Sequence, residues 1–97
     1  MKNNNSKKQN ELQYILLGKK GGKTCAQIIE LLLVRPYNPN QLANILNLSY
    51  NTIHYHIRIM QKHDLIEKIT EGYGSIYEPT NKLLNEKEQF DELKKLI

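Results

Sequence analysis

The sequence predicts a mainly α-helical domain with a small β-hairpin near its carboxyl end. With 97 residues, the chain has room for one core but not for a deep catalytic cleft. Two helix patterns joined by a short turn lie between residues 38 and 63, and an apolar alternation with period two follows from residue 65. Apolar runs on both sides of this region predict flanking N- and C-terminal helices.

The first helix of the central pair is predicted to begin after Asn38. Asn38 is a favourable N-cap, Pro39 suits the first helical position, and Gln41 stands at the spacing of a capping box. A turn is expected at 47–49, where Asn47 tolerates a left-handed backbone. The apolar residues of this helix and turn are expected to face the core: Leu42, Ala43, Ile45, Leu46 and Leu48.

The second helix, predicted at 50–63 with Ser49 as its cap, carries the functional argument. At about 100° per residue, the aliphatic residues Ile53, Ile57 and Met60 share one face. Amide, phenol, guanidinium and ammonium groups follow one another on the opposite face. Such donors read base edges and phosphates in a major groove, although a solvated helix face is the alternative. The polar face consists of Asn51, Tyr55, Arg58 and Lys62.

We therefore predict that this helix enters the major groove of double-stranded DNA. His54 borders the polar face, whereas His56 is expected on the packed side and His63 at the helix end. The predicted DNA-binding residues are Ser49, Asn51, Thr52, His54, Tyr55, Arg58, Lys62 and Tyr73.

The segment LANILNLSYNTIHYHIRIMQKHDLIEK resembles the helix-turn-helix of winged-helix transcription regulators, closest to the ArsR-like group common in archaea. The similarity extends upstream through GGKTCAQIIELLLVRPYNPNQ and downstream to YGSIYEPT. Ala43 matches the small residue where the two helices cross, and Ile53 matches the aliphatic anchor, whereas Asn47 stands where Gly is usual. The resemblance implies a winged helix-turn-helix with flanking N- and C-terminal helices, acting as a homodimeric, sequence-specific transcriptional regulator.

The predicted organisation has three parts. Residues 1–9 are expected to be a disordered basic arm, and residues 10–80 the winged-helix DNA-binding domain, with the helix-turn-helix at 38–63 and the wing at 65–79. Residues 81–97 are expected to form one C-terminal helix, with Leu83, Phe90 and Ile97 spaced seven apart. That helix either packs against a second subunit or caps its own domain.

Two helices are predicted before the central pair. The first begins at Asn10 and ends at Gly18, with Leu12, Ile15 and Leu16 on one face. The second runs from Thr24, as its cap, to Val34 and is apolar almost all round. It should be the central core helix, buried on more than one side, with 18–23 as a flexible link.

The wing is predicted as a hairpin of two short strands. The β-prone runs are Leu65–Thr70 and Ser75–Tyr77, and the intervening 71–74 contains two glycines that can take positive φ values. Tyr73 at the tip could enter a minor groove or lie along a phosphate, whereas Tyr77 is expected to pack against the core.

The formal net charge of +4 suits a polyanionic partner, but it is unevenly placed. Residues 1–36 carry seven Lys or Arg against two acids, whereas residues 37–80 carry three against four. This nearly neutral centre keeps a second interpretation open, a winged-helix protein-interaction module without DNA specificity. In the DNA interpretation, much of the phosphate attraction has to come from Lys2, Lys7, Lys8, Lys19, Lys20 and Lys23.

Other function classes are not predicted. Cys25 is the only cysteine, which fits a reducing cytoplasm, and no stretch reaches the roughly 18 apolar residues of a membrane span. No metal is expected, because His54 and His56 diverge on their helix and the sequence lacks the paired Cys or the Asp/His pairs of related metal sensors. GKKGGKT lacks the spacing of a phosphate-binding P-loop, and no catalytic cluster or cofactor motif predicts an enzyme.

Overall fold

The computed structural model describes residues 11–70 and 74–97, which form six helices and one antiparallel hairpin. The predicted fold class is confirmed: a mainly α-helical winged helix-turn-helix with helices on both flanks. Helix α1 covers residues 11–18 and ends in a π-helical turn, Tyr14–Gly18. The later elements are α2 (Gly22–Val34), α3 (Pro39–Leu46), α4 (Tyr50–Lys62), β1 (Ile66–Lys68), β2 (Tyr77–Pro79), α5 (Asn81–Asn85) and α6 (Lys87–Lys94).

Helix α2 is the centre of the core, because α1, α3, α4 and β2 all pack on it. Its buried side includes Cys25, Ile28 and Ile29, each 0% exposed. The prediction that it is buried on more than one side is only partly right. Val34 is 78% exposed, since α2 ends at the surface where Arg35 turns into extended backbone.

The start of α2 differs from the prediction. Thr24 is not its cap, because the helix begins two residues earlier, at Gly22. Gly21 precedes it with a φ of 90°, a left-handed conformation that glycine adopts without strain. A Cβ built on Gly22 would lie 1.8 Å from the carbonyl oxygen of Leu16, so glycine is what lets α2 start against α1. The expected flexible link is therefore a close turn between two packed helices.

The capping predictions for the central pair are confirmed. Asn38 and Gln41 form a reciprocal capping box, each side chain bonding the other's backbone at 2.8 Å. Asn47 takes the left-handed conformation, with φ 59° and ψ 46°. Leu48 was expected in the core but is 36% exposed; its backbone N–H closes α3 by donating to the Ala43 carbonyl at 3.0 Å. Ile45 is also exposed, at 50%.

The second strand of the wing lies two residues later than predicted. Lys68 pairs with Tyr77 and Ile66 with Pro79, and one further bond continues the ladder, from the Ile69 N–H to the Ile76 carbonyl at 2.9 Å. The shift has a tertiary cause: Tyr77 also bridges Tyr37, through backbone bonds of 2.9 and 3.4 Å. Tyr77 is 6% exposed, as predicted, and joins the hairpin to the segment between α2 and α3. Residues 71–73 of the predicted turn lie outside the described ranges.

The C-terminal segment is two helices where one was predicted. The break is at Glu86, where φ is −106° and ψ is 19°. Leu83 and Phe90 are fully buried in this domain, whereas Ile97 is 46% exposed and does not continue their stripe. Lys94 of α6 reaches Glu30 of α2 at 2.7 Å. The C-terminal segment therefore packs on its own domain, with Leu83 and Phe90 as the two residues of the stripe that enter the core.

One ionic cluster ties the two flanks to the end of α4. The carboxylate of Glu11 in α1 contacts both Lys82 of α5 and Nδ1 of His63, the latter at 3.2 Å. The Lys82 ammonium also donates to the backbone carbonyl of His63 at 3.0 Å. Lys82 first and His63 second lower the pKa of the Glu11 carboxyl. In the described ranges, no helix is long and apolar enough to cross a bilayer.

Candidate nucleic-acid interface

The rotation of α4 about its axis is fixed by its buried face. Ile53, Ile57 and Met60 are each 0% exposed, and they pack toward α2 and α3. Because these residues follow helical spacing, the side chains half a turn away must point outward. The structure accordingly exposes the four residues of the predicted polar face: Asn51, Tyr55, Arg58 and Lys62.

The start of α4 is held by two of the predicted contact residues. Ser49 Oγ accepts a hydrogen bond from the Thr52 backbone N–H at 3.1 Å and donates to Thr52 Oγ1 at 2.9 Å. The Ser49 hydroxyl hydrogen is therefore used within the cap. Ser49 and Thr52 thus fix the orientation of the first turn of α4.

A shallow groove of about 620 Å³ runs along the polar face. Arg58 and Lys62 are its charged residues, and no carboxylate lines it in the described ranges. The Tyr55 ring stands 57% exposed beside it, held edge-on against the ring of His56 with centroids 5.2 Å apart. The full lining is Asn51, His54, Tyr55, Arg58, Ile59 and Lys62.

A second groove, of about 520 Å³, lies between the start of α3, the outer side of α4 and the hairpin. His54 and Arg58 line both grooves, so they stand on the ridge between them. The second groove also has no described carboxylate in its lining. It adds four polar residues that sequence reasoning missed, because three separate elements bring them together: Asn40, Gln61, Lys68 and Ser75.

The basic turn before α2 lies next to the polar face. Lys19 Nζ is 6.0 Å from the centroid of the Tyr55 ring, within reach of a cation–π contact, and it also bonds the Lys20 carbonyl at 2.9 Å. Lys20 and Lys23 are exposed. Positive charge from outside the helix-turn-helix is therefore placed at its edge. Lys2, Lys7, Lys8 and Tyr73 lie outside the described residues.

The three histidines of this region have different surroundings. His56 is 7% exposed, as predicted, with Nδ1 3.6 Å from Cys25 Sγ. Burial, and then the charge of Lys19, lowers the pKa of His56. His63 caps the end of α4, as predicted, and bonds Glu11. His54 remains at the grooves, with its ring edge-on to Tyr50 at 5.5 Å.

No group of three or more metal-ligating side chains occurs among residues 11–70 and 74–97. Cys25 is fully buried, and burial raises its pKa to about 11, so it is a packed thiol with little thiolate at neutral pH. The described part of the interface is thus a surface of neutral donors and cations, with no built ion site.

The segment from α2 to β1 matches a known family. Residues 23–68 match the model described as "Bacterial regulatory protein, arsR family". The helix-turn-helix is therefore similar to that of the arsR family. This match covers the elements that build the polar face, including α3, the turn and all of α4. No curated protein matches the whole sequence significantly.

Solved structures share the fold of the arsR-type domain and its flanks. Reduced HlyU from Vibrio cholerae N16961 superposes with a TM-score of 0.72 and 19% identity, over 97% of this chain and 93% of that chain. A transcriptional regulator HlyU from Vibrio vulnificus CMCP6 gives 0.65 and 20%, over 97% of both chains. Adhesin competence repressor (AdcR) from Streptococcus pyogenes gives 0.65 and 17%, over 94% of this chain and 69% of that chain. At these identities, the likeness establishes the fold.

Proposed function

We propose that the protein is a sequence-specific transcriptional regulator that inserts α4 into the major groove of double-stranded DNA. The observation that carries this proposal is the exposed face of α4, which has no described carboxylate and lies opposite three fully buried aliphatic residues. A rigidly oriented helix of about 20 Å can place several donors against base edges at once. The arsR-type match and the regulator fold support this assignment.

The proposed roles follow the chemistry of each side chain. Arg58 is the candidate for a bidentate contact to guanine, and Asn51 for a paired contact to adenine. Tyr55 and His54 contact base edges or nearby phosphates, and Lys62 contacts the backbone as a point charge. Ser49 and Thr52 orient the first turn and approach a phosphate from the helix N-terminus. Tyr73 remains a predicted wing contact.

Residues 37–80 carry almost no net charge, so lysines on both sides of α4 would have to supply the phosphate contacts. Lys68 of β1 lies at the groove on the wing side, and Lys19 lies beside Tyr55 on the other side. The exposed lysines 20 and 23 extend the second contact. Binding should therefore weaken steeply with salt, because each neutralised phosphate releases counterions.

We further propose a homodimer that reads two half-sites. Leu84, Leu96 and Ile97 of the C-terminal segment are 49%, 69% and 46% exposed, so they are available to a second subunit. Two α4 helices about 34 Å apart would match successive major grooves of a pseudo-palindromic site. Sedimentation tests this directly: a single 11.4 kDa species at high protein concentration would contradict it. The archaeal kinship and the cytoplasmic location stay predictions.

Fluorescence anisotropy with duplex DNA over a salt series tests the proposed function. We expect tight binding at low salt that weakens steeply, and a shallower slope for Arg58→Ala/Lys62→Ala. Lys87→Ala/Lys95→Ala removes the same charge from exposed positions on and after α6 and should leave the slope nearly unchanged. On a selected site, Arg58→Ala alone should cost about 1–3 kcal/mol if it pairs with guanine. An equal loss on all sequences would assign it to a phosphate.

A protein-interaction module is the second candidate function. Besides the neutral centre, two apolar residues near the turn of the helix-turn-helix favour it, since Ile45 and Leu48 are 50% and 36% exposed and leave apolar surface open to a partner. Absence of DNA binding even at low salt, together with salt-insensitive binding of a protein partner that Ile45→Ser abolishes, would replace the DNA assignment with this one.

A further inference from the structure

One nitrogen of His54 has no hydrogen-bond partner. His54 Nδ1 is buried from solvent and contacts no acceptor or donor in the described parts of the chain. The ring is held edge-on against Tyr50, with centroids 5.5 Å apart and planes 77° apart. The same ring lines both grooves of the interface. Nδ1 is the only nitrogen of this ring that is buried without a partner in the described ranges, which leaves Nε2 as the nitrogen that can face the grooves.

This arrangement selects one tautomer of the neutral ring. A neutral imidazole carries its proton on one nitrogen and a lone pair on the other. A proton on Nδ1 would leave a buried N–H with neither an acceptor nor water, and orphaned donors are rarer in proteins than under-used acceptors. A proton on Nε2 leaves only a lone pair buried and puts the N–H where solvent or a ligand can accept from it.

The position of His54 places that N–H among the groups that read bases. His54 is three residues after Asn51 and four before Arg58, so the three side chains follow one stripe of α4. Arg58 offers several donors and a full charge, which suits either a phosphate or a guanine. A neutral ring with one fixed donor has a narrower choice of partners.

We propose that His54 is a specificity-determining residue that donates its Nε2–H to an acceptor on a base edge. This inference rests on the proposed function, since it assumes that α4 lies in a major groove. The acceptors available there are purine N7, guanine O6 and thymine O4. The amino group of cytosine is a donor and cannot pair with it. The contact selects one base position and adds no charge neutralisation.

The tautomer is tested first, on the free protein. Long-range ¹H–¹⁵N correlation spectra at pH 8 distinguish Nδ1–H from Nε2–H for each neutral histidine, and His54→Gln identifies the His54 signals by their loss. We expect Nε2–H. A dominant Nδ1–H tautomer overturns the proposal, whatever the protein binds.

The specificity is tested by site selection from randomised duplexes with the natural protein, His54→Gln and His54→Asn. A glutamine amide can place an N–H near the position of Nε2, whereas the shorter asparagine amide reaches only the position of Nδ1. We expect His54→Gln to retain the preference at one base position and His54→Asn to lose it by about tenfold. His63→Asn, at the far end of α4 and outside both groove linings, should change no base preference.

The site selection distinguishes a failure of the His54 contact from a failure of the proposed DNA-binding function. If the natural protein enriches no sequence, the proposed function fails and the base contact of His54 fails with it, while the tautomer result stands by itself. If it enriches a site that His54→Asn reads equally well, only the role of His54 is overturned. The salt dependence of binding should be the same for all three proteins. A shallower slope for both His54 variants would mark a phosphate contact and overturn the proposal.

Discussion

Gly21 lies directly against the imidazole of His56, so that a Cβ built on Gly21 would be 2.5 Å from His56 Cε1. The contact joins the basic turn before α2 to the buried side of α4. Tyr55 of the exposed face directly precedes His56, so the contact also helps to set the distance between Lys19 and that face.

Gly21→Ala should destabilise the fold by about 2–3 kcal/mol, because the new methyl group collides with the ring and the φ of 90° strains any L side chain. Urea denaturation measures the change. Gly74→Ala is the matched control: its φ is 70°, but no described atom lies within 4 Å of the added carbon, so about 1 kcal/mol is expected. Equal losses for the two variants would contradict the steric explanation.

Protonation of His56 should destabilise the domain. Its pKa is lowered in the folded state by burial and by Lys19, so the unfolded chain binds the proton more readily. The stability supplied by the neutral ring is complete above the unfolded pKa of about 6.5 and is lost as the pH falls toward the lower folded pKa, by at most about 1.4 kcal/mol per pH unit.

Denaturation curves of the natural protein and His56→Asn, measured from pH 8 to pH 5, isolate this contribution. The difference in stability between the two proteins should shrink as the pH falls through that window. A constant difference would show that the His56 proton is bound equally in both states.

The carboxylate of Glu11 should stabilise the fold in a lower pH window. Lys82 first and His63 second hold its pKa below 4.5, so its contribution is present above that value and is lost as the pH falls through the folded pKa. Glu11→Gln should cost about 1 kcal/mol at pH 7, since the cluster is partly exposed, and nearly nothing at the acid end.

Thermal unfolding at pH 7 and pH 2 measures the Glu11 effect. Glu92→Gln removes a more exposed carboxylate, 3.6 Å from Lys95, and should change stability by only a few tenths of a kcal/mol. If Glu11→Gln behaves like Glu92→Gln at both pH values, the cluster does not hold the flanks together.

The Cys25 thiol should resist modification while the protein is folded. Burial removes it from solvent and raises its pKa to about 11, which leaves little thiolate at pH 8. An aromatic disulfide reagent should react more than about 100-fold more slowly with the native protein than with the protein in urea. Cys25→Ala/Val34→Cys, with its thiol at the most exposed apolar position of α2, should react rapidly when folded. Rapid native reaction of Cys25 would contradict its burial.

The features that could be predicted from the sequence are those that depend on residues close together along the chain. The Asn38 and Gln41 cap, the left-handed Asn47 and the two faces of α4 all rest on spacings of a few residues, and the structure confirms them. The start of α2 could not be predicted, because it depends on the close packing of Gly22 against the Leu16 carbonyl, which belongs to another helix. The strand shift at Tyr77 likewise depends on a bridge to Tyr37, 40 positions earlier.

The second groove shows the same limit for the candidate site. Arg58 and His54 could be placed on one helix face from their spacing alone. Gln61 and Lys68 could not be joined to Asn40, because only the packing of α3 and the hairpin around α4 brings them to one surface. Nor does any periodicity indicate that Lys19 lies beside Tyr55.

The meeting of the two flanks has a consequence for the newly made chain. Leu83 and Phe90 complete the core, α6 packs on α1, and Lys82 pairs with Glu11. When only residues 11–70 have been made, the helix-turn-helix is complete, but α6, which packs on α1, is still missing. The new domain keeps an open apolar side until α6 docks on α1, so chaperones should bind it most strongly before that contact forms.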